Sequence, residues 1–195
     1  MVDSMTANAL PLHTSRFVLR PLTLEDEESV MAYRGDRRLT SFLSHPPMAW
    51  GNYPAWFAQR SPGSGLHAPG DRCYLGIESK ASGQLIGDVL LRLAATDAQQ
   101  GEIGMILRAD AQGQGNAVEV GRAVLAFAFE QMGLHRIVGS ADELNTGSRR
   151  GMERLGMRLE GTFVQDTRRA GRWVNTVSYA LLRDEWHTQQ RTETD

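Results

Sequence analysis

Two glycines stand in a short polar stretch that leads directly into a helical pattern. The stretch is AQGQGNAVEV, residues 111–120. Such a loop is either a plain helix entry or a turn that directs backbone N–H groups and the positive end of a helix toward an anion. Gly113, Gly115 and Ala117 carry little or no side chain, so a pyrophosphate has room to approach the backbone. Anion binding is therefore the first chemistry that this stretch suggests.

Two familiar phosphate-binding motifs do not fit the stretch. A dinucleotide-binding G-x-G-x-x-[GA] motif needs a small residue where the chain has Val118, and it normally opens the first β-α-β unit. Here the stretch follows about a hundred residues of chain. A P-loop needs Lys followed by Ser or Thr after its last glycine, and no such pair follows Gly115. What remains is a strand, a glycine loop and a helix that can hold a pyrophosphate.

The composition of the 195-residue chain is typical of one globular domain, with 41% hydrophobic and 23% charged residues. No apolar run reaches the roughly 18 residues of a membrane span, and the N-terminus lacks a secretory pattern, so we expect a cytoplasmic protein. A net charge of −2 favours neither nucleic acid nor a membrane surface as partner. The single Cys73 excludes an internal disulfide and is expected in the core. The five histidines have no ligand spacing, so no metal is expected.

Alternating strand and helix patterns position the glycine stretch. The first half predicts a strand over 16–22, a helix that begins after Thr23, a hairpin of strands 72–79 and 83–94 across the turn KASG, and a strand over Glu102–Leu107. The second half predicts a helix over 116–133, a strand over 135–141, a short helix over 145–156 and an antiparallel pair of strands, 157–165 and 172–182. The buried face of the long helix is predicted to carry Ala117, Val120, Val124, Ala128 and Met132. This order predicts an α+β or mixed α/β sheet.

An irregular segment between residues 44 and 70 interrupts the pattern. It is rich in proline and glycine, and we expect one short helix at 52–60. Its aromatic residues are Trp50, Tyr53, Trp56 and Phe57. Such residues either pack against the core or line a pocket, and packing is the favoured interpretation.

Several motifs resemble those of the GNAT superfamily of N-acetyltransferases. The run from Glu102 to Met132 is similar to its acyl-coenzyme A signature, a Q/R-x-x-G-x-G/A loop after a splayed strand, which Gln112, Gly115 and Ala117 match. NTGSRRGMERLGMRLEGT resembles the N-x-x-S…L-G-F…EG segment of the superfamily. The opening RFVLRPLTLEDEESVMAY and the closing SYALLRDEW look like the RimJ/RimL branch, which acetylates protein N-terminal amines.

The resemblance implies one acyl-CoA N-acyltransferase domain over residues 14–186, with terminal tails at 1–13 and 187–195. Its fold would be a GNAT-type α+β fold, with a mostly antiparallel, splayed mixed sheet flanked by helices. Its reaction would transfer acetyl from acetyl-CoA, without a metal, to a primary amine of a protein N-terminus or of a small molecule. Exposed strand edges near the C-terminus in such a fold also suggest a homodimer.

The resemblance also implies which residues hold the coenzyme. Backbone groups of Ile106 and Leu107 would bind the pantetheine arm. The pyrophosphate would lie against the loop residues Gln112, Gly113, Gln114, Gly115, Asn116 and Ala117. Asn145 would fix the pantetheine or the acceptor amine, and Ser148 would lie near the sulfur. Both residues also suit the start of a helix, and helix capping is compatible with either role.

Direct attack of an amine on a thioester needs a base for the ammonium proton, donors for the tetrahedral oxyanion and a proton for the leaving thiolate. Glu102 is the candidate base, directly or through a water, because it begins the strand beside the thioester; the alternative is an exposed glutamate at a strand start. Many members of the superfamily carry a tyrosine acid seven residues after the asparagine, where this chain has Met152. Ser148 or a water would then protonate the thiolate, or the thiolate would leave without help from an acid.

Two groups of charged residues allow weaker hypotheses. Arg149, Arg150 and Arg154 would approach the adenosine 3′-phosphate or form a solvated helix face. Asp166, Arg168 and Arg169 belong to a predicted turn that would overhang the acceptor. If those arginines face the acyl group, a carboxylated acyl such as succinyl would fit.

Three other functions stay open at this point. They are aminoglycoside-type acetylation, transfer of another acyl group such as succinyl, and a non-catalytic acyl-CoA sensor on the same fold. The absent tyrosine acid favours the sensor. The presence of Glu102, Asn145 and Ser148 favours an enzyme.

Overall fold

One mixed sheet organises the part of the chain that this computed structural model describes, residues 10–43, 45–60, 66 and 68–194. The strands are β1 (Leu12–His13), β2 (Phe17–Pro21), β3 (Arg72–Ser79), β4 (Leu85–Leu93), β5 (Gln100–Leu107), β6 (Arg136–Asp142), β7 (Arg158–Arg169) and β8 (Arg172–Leu182). The α-helices are α1 (Glu27–Arg34), α2 (Tyr53–Arg60), α3 (Asn116–Ala126), α4 (Thr146–Arg154) and α5 (Arg183–Thr194). None of these helices is long and apolar enough to cross a membrane.

The strands lie in the order β1-β2-β3-β4-β5-β6-β8-β7. Every neighbouring pair is antiparallel except β5 and β6, which are parallel. These two strands pair only where Gln100–Glu102 meets Arg136–Val138, and they diverge beyond that point. The predicted mostly antiparallel, splayed mixed sheet is therefore confirmed.

Side-chain alternation divides the sheet into two faces. On one face, a large apolar core joins β-strand residues such as Ile103 and Ile137 to Val124 of α3. On the other face, which we call the α1 face, a smaller cluster joins Val30 of α1 to Ile106 of β5. Glu102 lies four residues before Ile106 on β5. This spacing is even, so the Glu102 side chain also points to the α1 face.

Helix α3 buries the side that its sequence predicts. Val120, Val124 and Ala128 are core residues, and Ala117 and Met132 pack against them. The helix is continued by one π-helical turn over Phe127–Gln131, in which three successive residues, 127–129, are all buried. A wider turn lets neighbouring side chains share one buried side. Gly133 ends the run at a φ of +70°, as a C-terminal glycine does.

Residues 187–194 belong to α5, where the sequence predicted the start of a terminal tail. The segment has little apolar periodicity, and its anchor is Trp186, which is buried and donates a hydrogen bond from Nε1 to Glu130 at 2.9 Å. Gln189 also donates to the carbonyl of Gly156 at 3.1 Å. Tertiary contacts rather than local pattern therefore set this helix. Residues 1–9 of the predicted N-terminal tail, and residue 195, lie outside the described residues.

The segment between residues 44 and 70 contains α2 close to its predicted place; positions 44, 61–65 and 67 lie outside the described residues. Tyr53 is buried and donates to the carbonyl of Thr23 at 2.7 Å, and the other two helix aromatics pack in the smaller cluster. Trp50 differs, because its side chain is 69% exposed. Cys73 packs against the large core as predicted, and burial raises the pKa of its thiol to about 11.

Candidate active site

The opening between β5 and β6 gives a ligand access to the middle of the sheet. The strands are paired as far as Glu102 and Val138, and each then continues by at least four residues. At about 3.3 Å per residue, each diverging edge is at least about 13 Å long. Backbone groups on these edges have no partner in the other strand, so an extended ligand can hydrogen-bond to them.

The glycine loop, residues 112–117, lies at the end of β5 and opens α3. Gly113 and Gly115 have φ values of +76° and +77°, which bring successive N–H groups to one side of the loop. Gly115 is the N-cap of α3 and provides no side-chain cap. Within the described chain, no residue accepts a hydrogen bond from the backbone N–H groups of residues 113–117. The positive end of α3 and these N–H groups are therefore available to an anion.

The polar side chains of the glycine loop bond to the loop's own backbone. Gln112 donates to the carbonyl of Leu107 at 3.0 Å, Gln114 to that of Asp110 at 2.7 Å, and Asn116 to that of Ala111 at 2.9 Å. These bonds fix the shape of the loop. The groups left to face a ligand are backbone amides rather than side chains.

Hydrogen bonds from Thr14 and Arg16, just before β2, hold the first turn of α3, and we call this set of bonds the brace. Glu119 accepts hydrogen bonds from Arg16 Nε at 2.6 Å, from the Arg16 backbone N–H at 2.8 Å and from the Thr14 hydroxyl at 2.7 Å. Burial alone would raise the pKa of the Glu119 carboxyl, but these donors lower it below its usual range. Arg16 also donates to the carbonyl of Gln114 at 3.3 Å, so the brace reaches the loop itself.

Asn145 and Ser148 meet at the start of α4. The Asn145 side chain is the N-cap, and its Oδ1 accepts from the Ser148 backbone N–H at 3.1 Å. The capping role is therefore present in the structure. The Ser148 hydroxyl makes no hydrogen bond with the described residues, so it is available to a ligand. Contact of either residue with a coenzyme stays a prediction.

Glu102 lies at the point where β5 and β6 separate. Its carboxylate pairs with Arg92 of the neighbouring strand β4, and its side chain is 30% exposed. Both side chains project from the α1 face. A base at this position has to exchange its contact with Arg92 for a contact with the amine or a bridging water. Its catalytic role stays a prediction.

A buried ion pair on the α1 face was not found from the sequence. Arg34 of α1 donates from Nε and Nη2 to both carboxylate oxygens of Asp88, at 2.7 and 2.5 Å, and the two side chains are only 6% and 1% exposed. The Arg34 guanidinium also lies over the rings of Trp56 and Tyr74, at 4.7 and 5.6 Å from their centroids. Burial alone would lower the pKa of Arg34, but Asp88 raises it. Since Asp88 is opposite Ile106, the pair lies beside the opening.

The missed pair left one signal in the sequence. Asp88 is a carboxylate inside the otherwise apolar run LIGDVLL, and a charge at a buried strand position requires a partner. The partner, Arg34, is 54 positions away and has no local feature that reveals it. His45 approaches the same arginine, with Nε2 3.4 Å from Nη1, and burial lowers the pKa of His45.

Residues 16–158, more than half of the chain, match the acetyltransferase (GNAT) domain family. The protein belongs to the GNAT acetyltransferase family. The diverging strands β5 and β6, the glycine loop and the start of α3 all lie within the matched residues.

Individual proteins resemble this chain to different extents. The uncharacterized N-acetyltransferase YnaD of Bacillus subtilis strain 168 is 36% identical over 86 residues, 44% of this chain and 51% of YnaD, so the likeness spans about half of that relative. A GNAT-family acetyltransferase from Bacillus anthracis has a TM-score of 0.80 at 23% identity, covering 89% of this chain and 99% of that one. RimJ of Mycobacterium smegmatis, in complex with CoA-disulfide, has a TM-score of 0.73 at 19% identity, covering 91% and 90%. The two structures show a shared fold.

The GNAT domain carries no tyrosine at the position expected from many relatives. Met152 of α4 is buried and packs against β6, where a Cβ added to Gly139 would lie 2.7 Å from the Met152 sulfur. The side chain is therefore part of the core between α4 and the sheet. No acid can act from this position.

The charged residues of α4 and of the β7–β8 turn point in different directions. Arg149 donates from Nη1 to the carbonyl of Glu143 at 3.1 Å, whereas Arg150 and Arg154 are exposed. At the turn, Arg168 is exposed, but the Arg169 side chain is only 12% exposed and lies 3.8 Å from Asp142. Across the described ranges, no group of three or more His, Cys, Asp or Glu side chains is arranged to hold a metal ion.

Proposed function

We propose that this protein transfers an acetyl group from acetyl-CoA to a primary amine. The observation that carries the proposal is the glycine loop, whose backbone N–H groups at residues 113–117 stand open at the start of α3 beside the diverging strands. Pyrophosphate is an anion that such a helix start binds. Membership of the GNAT family supports the identity of the coenzyme.

The coenzyme would lie along the opening. The β5 edge near Ile106 and Leu107 would hydrogen-bond to the amides of the pantetheine arm, in the way an added strand does. The pyrophosphate would accept from the glycine loop, with Gln112 maintaining the loop through its bond to Leu107. At the other side, Asn145 and Ser148 at the start of α4 would border the arm and its sulfur.

The reaction would proceed by direct attack of the neutral amine on the thioester carbonyl. The nitrogen lone pair forms the new N–C bond, and the ammonium proton passes to Glu102 directly or through a water. Collapse of the tetrahedral intermediate breaks the C–S bond and releases a thiolate. A thiol pKa near about 8.5 makes protonation by Ser148 or a water helpful rather than essential.

The acceptor in this proposal is a protein N-terminal amine, with a small-molecule amine such as an aminoglycoside as the alternative. The terminal motifs that resemble the RimJ/RimL branch support the first choice. A non-catalytic acyl-CoA sensor is the rival function, and the open Ser148 hydroxyl and the surface-accessible Glu102 favour an enzyme over it. A cytoplasmic location, which a single cysteine suits, is part of the proposal.

A homodimer is also part of the proposal, with β7 as the contact surface. Strand β7 is twelve residues long and forms the outer edge of the described sheet. It presents Leu159, Phe163 and Val164 to solvent. Long exposed edges with apolar side chains are normally covered, and a second copy would cover this one. The molar mass of the protein in solution tests the contact, and a monomer at micromolar concentration would contradict it.

The test of the enzyme proposal is the substitution Glu102→Gln. Release of CoA thiol from acetyl-CoA is followed with peptides bearing free N-termini, aminoglycosides and small primary amines. We expect kcat to fall by at least about 100-fold for an accepted amine, because general-base catalysis commonly contributes that much. The Kd for acetyl-CoA, measured by calorimetry, should change by less than about twofold, because the coenzyme binds the loop backbone.

The matched control is Glu160→Gln. Glu160 also pairs with arginines on a strand, Arg136 and Arg158, but on the outer part of the sheet. This variant should retain wild-type turnover. Equal turnover of Glu102→Gln and wild type would remove Glu102 from the mechanism, and acetyl-CoA binding without transfer to any amine would favour the sensor.

A further inference from the structure

The conformation of the β7–β8 hairpin tip directs the Arg169 side chain toward Asp142 on β6. The register between β7 and β8 shifts between Phe163 and Thr167, so that three residues bulge out of the ladder. Gln165 in the bulge and Ala170 in the turn have positive φ values of +51° and +44°, although neither is glycine. Bulges of this kind redirect side chains, and unfavourable backbone angles persist where surrounding contacts hold them.

Specific hydrogen bonds hold the bulge in place. The Gln165 backbone N–H donates to Asn175 Oδ1 at 2.9 Å, and the Asp166 carboxylate accepts from the Thr176 hydroxyl at 2.7 Å. Asn175 in turn donates to Glu143 at 2.8 Å, which ties the bulge to the end of β6. The direction of the Arg169 side chain is therefore fixed by the hydrogen bonds that hold the bulge, rather than by hydrogen bonds of Arg169 itself.

Arg169 reaches the α1 face of the sheet beside the opening. Glu102 pairs with Val138, and Asp142 is four residues farther along β6, so both carboxylates share one face. The Arg169 Nε lies 3.8 Å from Asp142 Oδ2, which is too far for a hydrogen bond. Asp142 uses its other oxygen to accept from the Leu144 N–H at 2.9 Å.

The Arg169 guanidinium has donors without acceptors. Its Nε and Nη1 are buried, and neither has a hydrogen-bond partner in the part of the chain that is described. Buried donors without partners are costly, and native proteins normally satisfy such donors with a protein group, a water, an ion or a ligand. A ligand with acceptor atoms at this position would satisfy both donors.

A second arginine in the same molecule shows which acceptors satisfy a guanidinium of this kind. Arg20 binds two carboxylates at once, with Nε to Glu78 at 2.7 Å and both terminal nitrogens to Asp26 at 2.9 Å. One guanidinium has five N–H donors, which is enough for two carboxylates. Arg169 has one carboxylate beside it, Asp142, and free donors for another.

We propose that Arg169, held beside Asp142, binds a carboxylate of the substrate at the acceptor side of the opening. The inference rests on the proposed acyl transfer. The carboxylate has two possible sources, an α-carboxylate on the amine acceptor or the distal carboxylate of a dicarboxylic acyl group such as succinyl. Arg169 would act as a specificity-determining residue in either case, and it takes no part in proton transfer.

The experiment compares substrates that differ only in a carboxylate. In the acyl arm, calorimetry gives the Kd of acetyl-CoA and of succinyl-CoA. In the acceptor arm, kcat/KM and binding to the CoA-loaded protein are measured for an amino acid and for its amide. The variants are Arg169→Gln, Arg169→Lys and the control Arg168→Gln. The Arg168 side chain is exposed, and within the described chain its Nε donates to the carbonyl of Gly171 at 3.3 Å.

We expect wild type to favour the carboxylate-bearing partner by about 10- to 100-fold in one arm, as charged hydrogen bonds do. Arg169→Gln should reduce that preference to about twofold or less, while leaving the neutral partner unchanged. Arg169→Lys should restore part of it, and Arg168→Gln should keep it in full. Thermal unfolding checks that each variant is folded.

Two results would overturn the inference while the proposed function stands. One is the absence of a carboxylate preference in both arms of the wild-type measurements; the other is an equal loss for both partners in Arg169→Gln. Wild-type protein that binds acetyl-CoA and acetylates amines without such a preference would overturn the carboxylate site alone. Failure to bind either acyl-CoA would overturn the proposed function, and the carboxylate site with it.

Discussion

The two sides of the β5–β6 opening offer a ligand different kinds of polar group. On the coenzyme side, the glycine loop is a contiguous run of six residues that offers backbone N–H groups. On the α1 face, the polar groups are side chains from α1, β4, β5 and the β7–β8 tip, such as Arg34, Asp88 and Arg169. A backbone site depends on local conformation, whereas a side-chain site depends on contacts between distant segments. Substitutions on the two sides should therefore have separable effects on binding and on stability.

The largest expected effect comes from breaking the buried ion pair with Asp88→Asn. The change leaves the Arg34 guanidinium buried without a counter-charge, and we expect the free energy of unfolding to fall by about 3–5 kcal/mol. Urea unfolding measures this loss. Where the variant remains folded, its Kd for acetyl-CoA should stay within a few-fold of wild type, because the glycine loop is not part of the pair.

A surface pair provides the comparison for this substitution. Arg158 pairs with Glu160 and Glu185, and 43% of its side chain is exposed. Arg158→Gln should change the free energy of unfolding by less than about 1 kcal/mol. If Asp88→Asn cost no more than Arg158→Gln, the buried pair would not be what fixes α1 to the sheet.

The next largest effect is expected on the coenzyme side, from Gly115→Val. Valine is strongly disfavoured at the observed φ of +77°, and its side chain would also occupy the start of α3. We expect the Kd for acetyl-CoA to rise by at least about 100-fold, which corresponds to about 2.7 kcal/mol. Calorimetric titration measures the change.

The control separates backbone strain from loss of the site. Gly70 lies in the turn before β3 with a φ of +88° and open space around it. This turn bonds to the Leu93 end of β4, which is opposite Gly101 and remote from the glycine loop, so Gly70→Val introduces similar strain away from that loop. It should lower stability and leave the Kd unchanged. Equal loss of binding in both variants would mean that the loop acts only through the stability of the fold.

The same difference explains what the sequence predicted. The glycine loop, its strand and the buried side of α3 are local patterns, and the structure has them in their predicted places. The direction of the Arg169 side chain depends on a bulge and a turn, each with one non-glycine residue at positive φ. The residue types at these positions do not predict that conformation. Likewise α5 depends on the hydrogen bond from Trp186 to Glu130, which lies 56 positions earlier in the chain. Local conformation is encoded by neighbours, whereas these features are encoded by packing partners.

The smallest effect is expected from pH, through His45 on the α1 face. Burial lowers the pKa of this side chain below the ordinary value of about 6.5; the nearby guanidinium groups of Arg34 and Arg60 act in the same direction, while the Pro46 carbonyl and Asp88 act against it. The folded protein therefore favours neutral His45. Its contribution to stability is fully present above about pH 6.5 and is lost as the pH falls through the lowered pKa, with a slope of at most about 1.4 kcal/mol per pH unit.

Comparison of wild type with His45→Gln between pH 7.5 and pH 5 measures this contribution. Both contacts suit a neutral ring, in which Nδ1–H donates to the Pro46 carbonyl at 3.1 Å and Nε2 accepts from Arg34. Protonation places a positive ring against a buried guanidinium, so wild type should lose more stability than the variant on acidification. His135→Gln, a substitution of an exposed histidine, should follow wild type across the range. Parallel curves for wild type and His45→Gln would show that the Arg34 pair is insensitive to its neighbour, and the α1 face would then depend on Asp88 alone.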